Sequence, residues 1–142
     1  MKICLAPMLL ALAGTPASAC GDLTVSEAWV RAAPPTASVM AGYLTLGNNS
    51  DQPVTVTAAS SPTFERVEMH DMTHENGVMR MRKLEQIEVA PGGTAELAPG
   101  GRHLMLIQPK RTFAAGDEIE VTLTLCGEHA QTVRLPVREA GG

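Results

Sequence analysis

The sequence predicts an all-β protein, an antiparallel sandwich or barrel. Three observations carry this reading. Short runs rich in Val, Ile, Leu and Thr recur at intervals near ten residues, the rhythm of strands in such folds. The 10 Pro and 13 Gly fall between these runs as turn punctuation rather than in a tract. No window of a dozen residues keeps an amphipathic helical period.

The strands follow in order. Leu23 to Arg31 is the first, with Val25, Ala28 and Val30 in it, and Ala41 to Leu46 the second. In Val54 to Ala58 the apolar Val54, Val56 and Ala58 alternate with Thr55 and Thr57. Val67 to Met72 and Val78 to Leu84 flank Glu75-Asn76-Gly77, and Asn-Gly is the strongest short hairpin signal. Pro91-Gly92-Gly93 and Pro99-Gly100-Gly101 set off Thr94 to Leu97 and Leu104 to Ile107. Ile119 to Leu125 alternates cleanly, apolar side in and polar side out, and Gln131 to Val137 is the last run. Two sheets packed face to face can build a core from Val, Leu and Ile, which suits a chain with only 3% aromatic residues.

The 142 residues fit one domain with a real core. With 44% hydrophobic and 18% charged residues the chain is no disordered polyelectrolyte. One Trp, one Tyr and two Phe are too few stacking platforms for a single-strand nucleic-acid binder. The net charge of -4 and the scattered Lys and Arg leave no footprint for phosphate.

Residues 1–19 read as a secretory signal, with Lys2, an apolar stretch from Ile3 to Ala13, and the small-residue pattern Ala17-Ser18-Ala19 before the cut. The mature domain is then 20–142, exported to the periplasm. No later segment approaches the roughly 18 apolar residues of a membrane helix. Cys4 leaves with the signal, and Cys20 and Cys126 remain. An even pair in an oxidising compartment is expected to form a disulfide. Lipid anchoring at Cys20 is the less favoured alternative, because Ala17 stands where lipoprotein signals usually carry Leu.

Met69, Met72, Met79, Met81 and Met105 crowd one region with His70, His74 and His103. Met40, amid Ala and Val, reads as core filler, and His129 as a turn residue. With Asn76 and Gly77 at the centre of a two-residue turn, Glu75 pairs with Val78, His74 with Met79, Met72 with Met81, and His70 with Lys83. Strand parity then puts His70, Met72, His74, Met79 and Met81 on one face and Asp71, Thr73, Arg80 and Arg82 on the other. Met69 has the opposite parity to His70 and is expected to pack inward. His103 and Met105, two apart on a strand, also point together. Imidazole plus thioether without thiolate is a ligand set for Cu(I).

The spacing H-x10-M-x21-H-x-M, from His70 through Met81 and His103 to Met105, resembles the signature of the periplasmic PCu(A)C copper chaperones. Val67-Glu68-Met69-His70, Gly77-Val78-Met79-Arg80-Met81-Arg82 and Gly100-Gly101-Arg102-His103-Leu104-Met105-Leu106 match it closely. Ala28-Trp29-Val30-Arg31 and Ala41-Gly42-Tyr43-Leu44-Thr45-Leu46 support it upstream. The resemblance implies a cupredoxin-like β-sandwich that carries one Cu(I) on His70, Met81, His103 and Met105. Met72, opposite Met81, is the auxiliary candidate. It implies delivery of copper to the apo CuA domain of cytochrome oxidase or to a Sco-type protein, a part in copper homeostasis, and no catalysis. The chain is expected to act as a monomer. Some family members hold a second copper on a His- and Met-rich C-terminal extension, but the tail Arg138-Glu139-Ala140-Gly141-Gly142 has neither residue.

Two rivals are an electron-transfer cupredoxin, which needs a Cys thiolate with two His and a weak Met, and an interaction sandwich whose Met and His are incidental. Cys126-Gly127-Glu128-His129 offers Cys-x-x-His, but no Met follows it. None of the hydrolase or metalloprotease motifs G-x-S-x-G and H-E-x-x-H is present.

Overall fold

A computed structural model describes residues 20–140. The expected signal segment and its cleavage site, 1–19, lie outside the described residues. The strands are β1 (Thr24–Arg31), β2 (Val39–Gly47), β3 (Val54–Ser60), β4 (Phe64–Glu75), β5 (Val78–Leu84), β6 (Ile87–Val89), β7 (Thr94–Leu97), β8 (His103–Pro109), β9 (Glu118–Leu125) and β10 (His129–Arg138). Among the described residues there is no helix, and therefore none long and apolar enough to cross a membrane.

Every run expected as a strand is one. The strand β6 was not expected, and β4 is longer at both ends than Val67 to Met72. Neighbours run β5-β4-β8-β2-β1-β10-β9-β3-β6, with β7 paired to β2. A further contact between β3 and β4, at Ala59 and Val67, joins the two halves. The cupredoxin-like sandwich is thus closed into a barrel along that side. One pair corrects the antiparallel expectation: β1 and β10 run parallel, Val30 beside Val137 and Arg31 beside Arg138. Parallel neighbours in sequence need a long crossover. The first and last strands of the domain are not consecutive, so they meet in parallel without one.

Alternation decides which side chains fill the interior. Val67 and Met69 on β4, Leu104 and Leu106 on β8, and Met40, Leu44 and Leu46 on β2 are buried, and each such side chain contributes about 1.5–3 kcal/mol by leaving water. Gly42 keeps the same parity. A Cβ there would meet Leu106 Cδ1 at 3.2 Å and Leu135 Cδ2 at 3.4 Å, so its lack of a side chain lets β2 sit tightly over this layer. The intervening residues of β4 and β8, Glu68, His70, His103 and Met105, therefore stand on the outer face of the sheet.

Three contacts hold the N-terminal segment. Cys20 is disulfide-bonded to Cys126 in the β9–β10 turn. Gln131 donates from Nε2 to the Leu23 carbonyl at 2.7 Å and accepts the Leu23 N–H at 2.8 Å. His129 meets the Asp22 carboxylate at the same place.

Candidate metal centre

The hairpin β4–β5 has the register that the Asn-Gly turn predicts: Glu75 opposite Val78, His74 opposite Met79, Met72 opposite Met81 and His70 opposite Lys83. Asn76 and Gly77 both have positive φ, 51° and 76°, as a type I′ turn requires. On its other side β4 pairs with β8, which places His70 directly opposite His103 and Glu68 opposite Met105. The three strands thus bring His70, His103, Met81 and Met105 to one patch of the outer face. His70 is central, with His103 across from it and Met81 and Met105 on the diagonals, about 7–8 Å away between backbones. Met72 lies on the same face, and Met69 is buried in the core.

The two imidazoles are held differently. The His103 Nδ1–H donates to the Gly101 carbonyl at 3.1 Å, because a carbonyl can only accept. That tautomer leaves Nε2 with its lone pair free. His70 Nε2 lies 3.2 Å from Glu68 Oε2, and the same logic gives the proton to Nε2. The remaining Nδ1 of His70 is buried and has no hydrogen-bond partner. A buried, unpartnered ring nitrogen is costly unless something fills the place. The ring centres are 5.8 Å apart. With metal–imidazole bonds of about 2 Å, two rings sharing one ion hold their centres about 5–6 Å apart, according to the angle at the ion.

Glu68 is the hub around His70. Its carboxylate also meets Arg66 Nε at 3.3 Å and Lys83 Nζ at 3.7 Å. The hydrogen bond from His70 holds the Glu68 carboxyl below the usual glutamate range. Partial burial opposes this, and the charges of Lys83 and Arg66 reinforce it. Neither Glu68 nor Gly101 was singled out in the sequence. Their signal was present: each lies two residues before its histidine, on the same strand face or at its mouth.

Among the described residues no group of three or more His, Cys, Asp or Glu converges on a point where they could hold a metal ion. An ion between His70 and His103 would have to draw its other bonds from thioether sulfur. Accessibility falls across the patch, from Met81, 51% exposed, to His103, only 5% exposed. The arrangement offers two hydrogen-bonded imidazoles at the floor and an exposed sulfur at the rim.

These features define a class: a small cupredoxin-like β-sandwich with a histidine–methionine cluster on the outer face of one sheet. The chain belongs to the family described as "Putative lipoprotein LpqE-like", whose model matches residues 23–137. A relative from Leifsonia xyli, "Putative lipoprotein Lxx21020", is 31% identical over 135 residues, covering 94% of this chain and 80% of the relative. The solution structure of apo-DR1885 from Deinococcus radiodurans superposes with a TM-score of 0.65 at 30% identity, over 99% of this chain and 95% of that one. A copper-bound PCuAC domain from PmoF2 gives 0.69 at 22% identity, over 85% and 96%, a likeness of fold. The expected relationship to PCu(A)C proteins is borne out by these neighbours.

Proposed function

We propose that the chain is an exported, non-catalytic Cu(I) carrier, with His70, Met81, His103 and Met105 as ligands and one ion per mature chain. The supporting observation is the pair of facing imidazoles. Each has one nitrogen engaged by a protein acceptor and the other unengaged, and the His70 nitrogen is buried without a partner. Fixing the outer nitrogen selects the tautomer and orients the ring toward a metal. The copper named for the PmoF2 domain and for the CuI-DR1885 structure supports the same cargo here.

Thioethers explain the preference for monovalent copper. Soft sulfur favours Cu(I) over Zn(II), and unlike thiols it cannot be lost to disulfides in an oxidising compartment. The electron-transfer reading lacks its thiolate, since Cys126 is bonded to Cys20. A rim ligand as exposed as Met81 suits hand-over, because an acceptor's sulfur can replace it first while the two imidazoles still hold the ion. We assign as acceptor the apo CuA domain of cytochrome oxidase or a Sco-type copper protein, met in the periplasm by a monomer.

Copper transfer tests the proposal. The Cu(I)-loaded mature protein is mixed with an apo CuA domain and, separately, with a Sco-type protein, and the metal is quantified on each after separation. Passage to one of them is expected. Retention by the donor against both, or displacement of Cu(I) by an equal concentration of Zn(II), would overturn it.

A further inference from the structure

Sulfur and imidazole continue past the four ligands toward the hairpin tip. His74 and Met79 are directly opposite each other, and Met72 is directly opposite Met81. All four share the face of His70. The other face of the same hairpin carries Asp71, Thr73, Arg80 and Arg82, ordinary solvent chemistry. Val78, Met79 and Met81 are among the large apolar side chains left in solvent, Met79 at 51% exposure. Met79 fills no core, so the packing role of methionine does not explain it. The other three histidines each have a partner, His70 in Glu68, His103 in the Gly101 carbonyl and His129 in Asp22. His74 has none among the described residues.

We propose that His74 and Met79, with Met72 shared between the two places, form a second, weaker soft-metal site at the tip of the β4–β5 hairpin, a station on the path by which Cu(I) enters and leaves. It rests on the reading of the main site as a Cu(I) site. Directly opposed residues hold their Cβ atoms about 4.5–5.5 Å apart, so an imidazole and a thioether from His74 and Met79 can close on one ion. Met72 is diagonal to Met79 and two residues from His74, each about 7 Å away along or across the hairpin. It can add its sulfur to either neighbour.

The path is a ligand exchange with no change of oxidation state. His70 and His74 are four residues apart, about 13 Å along a strand, too far for one hop. The opposed pair Met72 and Met81 lies midway. A Cu(I) on the four ligands gains Met72 sulfur as Met105 lets go, then His74 as His103 lets go and Met79 as His70 lets go. Met81 leaves last. Three bonds form and four break, so the ion passes from four donors to three, all of them neutral. The burial gradient gives direction: His103 is closed off, Met72 is half-buried, and His74 and Met79 are in solvent.

Silver nitrate is the probe, as a redox-inert stand-in for Cu(I). The folded, disulfide-bonded mature protein is titrated with Ag(I) while its methionine methyl and histidine ring signals are followed by NMR. The first equivalent should move His70, His103, Met81 and Met105. A second, weaker one should move His74, Met79 and Met72. In the double variant His74→Asn, Met79→Leu the second equivalent should weaken by more than about tenfold and the first by less than about twofold, as for separated sites. Both substitutions are at exposed positions, and an unchanged amide spectrum reports that the fold is kept. A single equivalent in the unaltered protein, or a second one that survives in the double variant, overturns the tip site and leaves the main site standing. Loss of the first equivalent in the unaltered protein instead overturns the Cu(I) reading itself.

Discussion

At the scale of single residues, the ring nitrogens matter more than the count of histidines. His70 and His103 are useful because Glu68 and the Gly101 carbonyl each engage one of their nitrogens. Glu68→Ala, which removes the acceptor, should therefore lower Cu(I) affinity about 10–100-fold, the usual cost of losing such an orienting partner, without unfolding the protein. Competition with a Cu(I) chelator measures it. Protons compete with the metal for His70 Nδ1 and His103 Nε2, so affinity in the unaltered protein should fall as pH falls. The folded, metal-free protein has its own acid dependence at Glu68. Its carboxyl is held below the usual range, chiefly by His70. The unfolded chain then binds more protons in that window, so Glu68 contributes stability above about pH 4.3 that is lost as pH falls through its lowered value. Acid unfolding of Glu68→Gln should accordingly show a shallower pH dependence below that point. The histidines and methionines and their shared face were legible in strand parity. Glu68 was not, because a search for donors to a metal passes over the residue that only orients one.

At the scale of elements, the hairpin decides the site. The Asn-Gly turn fixed the register of β4 against β5, and the observed pairs follow it residue for residue. The register opposes Met72 to Met81 and leaves Met81 diagonal to His70. We expect Met81→Leu to abolish tight Cu(I) binding and Met72→Leu to keep it within about tenfold. The reverse outcome, read by the same chelator competition, would move that ligand across the hairpin, from Met81 on β5 to Met72 on β4. Gly77 has φ of 76° and no atoms near its missing Cβ, so its constraint is conformational alone. Gly77→Val should cost roughly 1–3 kcal/mol and loosen the hairpin, seen as faster amide exchange in β5 and weaker copper binding. Strand ends were less legible. Phe64 to Arg66 and Thr73 to Glu75 are strand because β8 and β5 supply hydrogen-bonding neighbours, not because their own pattern demands it. The three residues of β6 pair with Val54, Thr55 and Val56 and are too few to show a period.

At the scale of the whole molecule, the histidine–methionine patch and the covalent staple lie on different parts of the barrel. The patch belongs to β5, β4 and β8, and the Cys20–Cys126 bond ties the segment before β1 to the β9–β10 turn. Strand count and an all-β class could be read from the turn rhythm. The parallel pairing of β1 with β10 and the closure at Ala59 and Val67 depend on contacts between distant segments that no local pattern records. The staple bears on this closure of the chain's ends. With a sequence separation of 106, the bond restricts a long loop in the unfolded state, and its loss should cost about 2–5 kcal/mol. Cys20→Ser, Cys126→Ser should therefore unfold at lower denaturant concentration than the unaltered protein. Its Cu(I) affinity should be unchanged under conditions where it is folded, because neither sulfur touches the patch. The thiol count completes the argument, since a sulfur can form only one of the two bonds open to Cys20. Exported protein with the disulfide has no free thiol on denaturation. Lipid on Cys20 would leave one free thiol, on Cys126, and a mass heavier by the acyl chains. We expect zero thiols and the unlipidated mass. A free Cys126 would show that the N-terminal segment is held by Asp22–His129 and the Gln131 clasp alone.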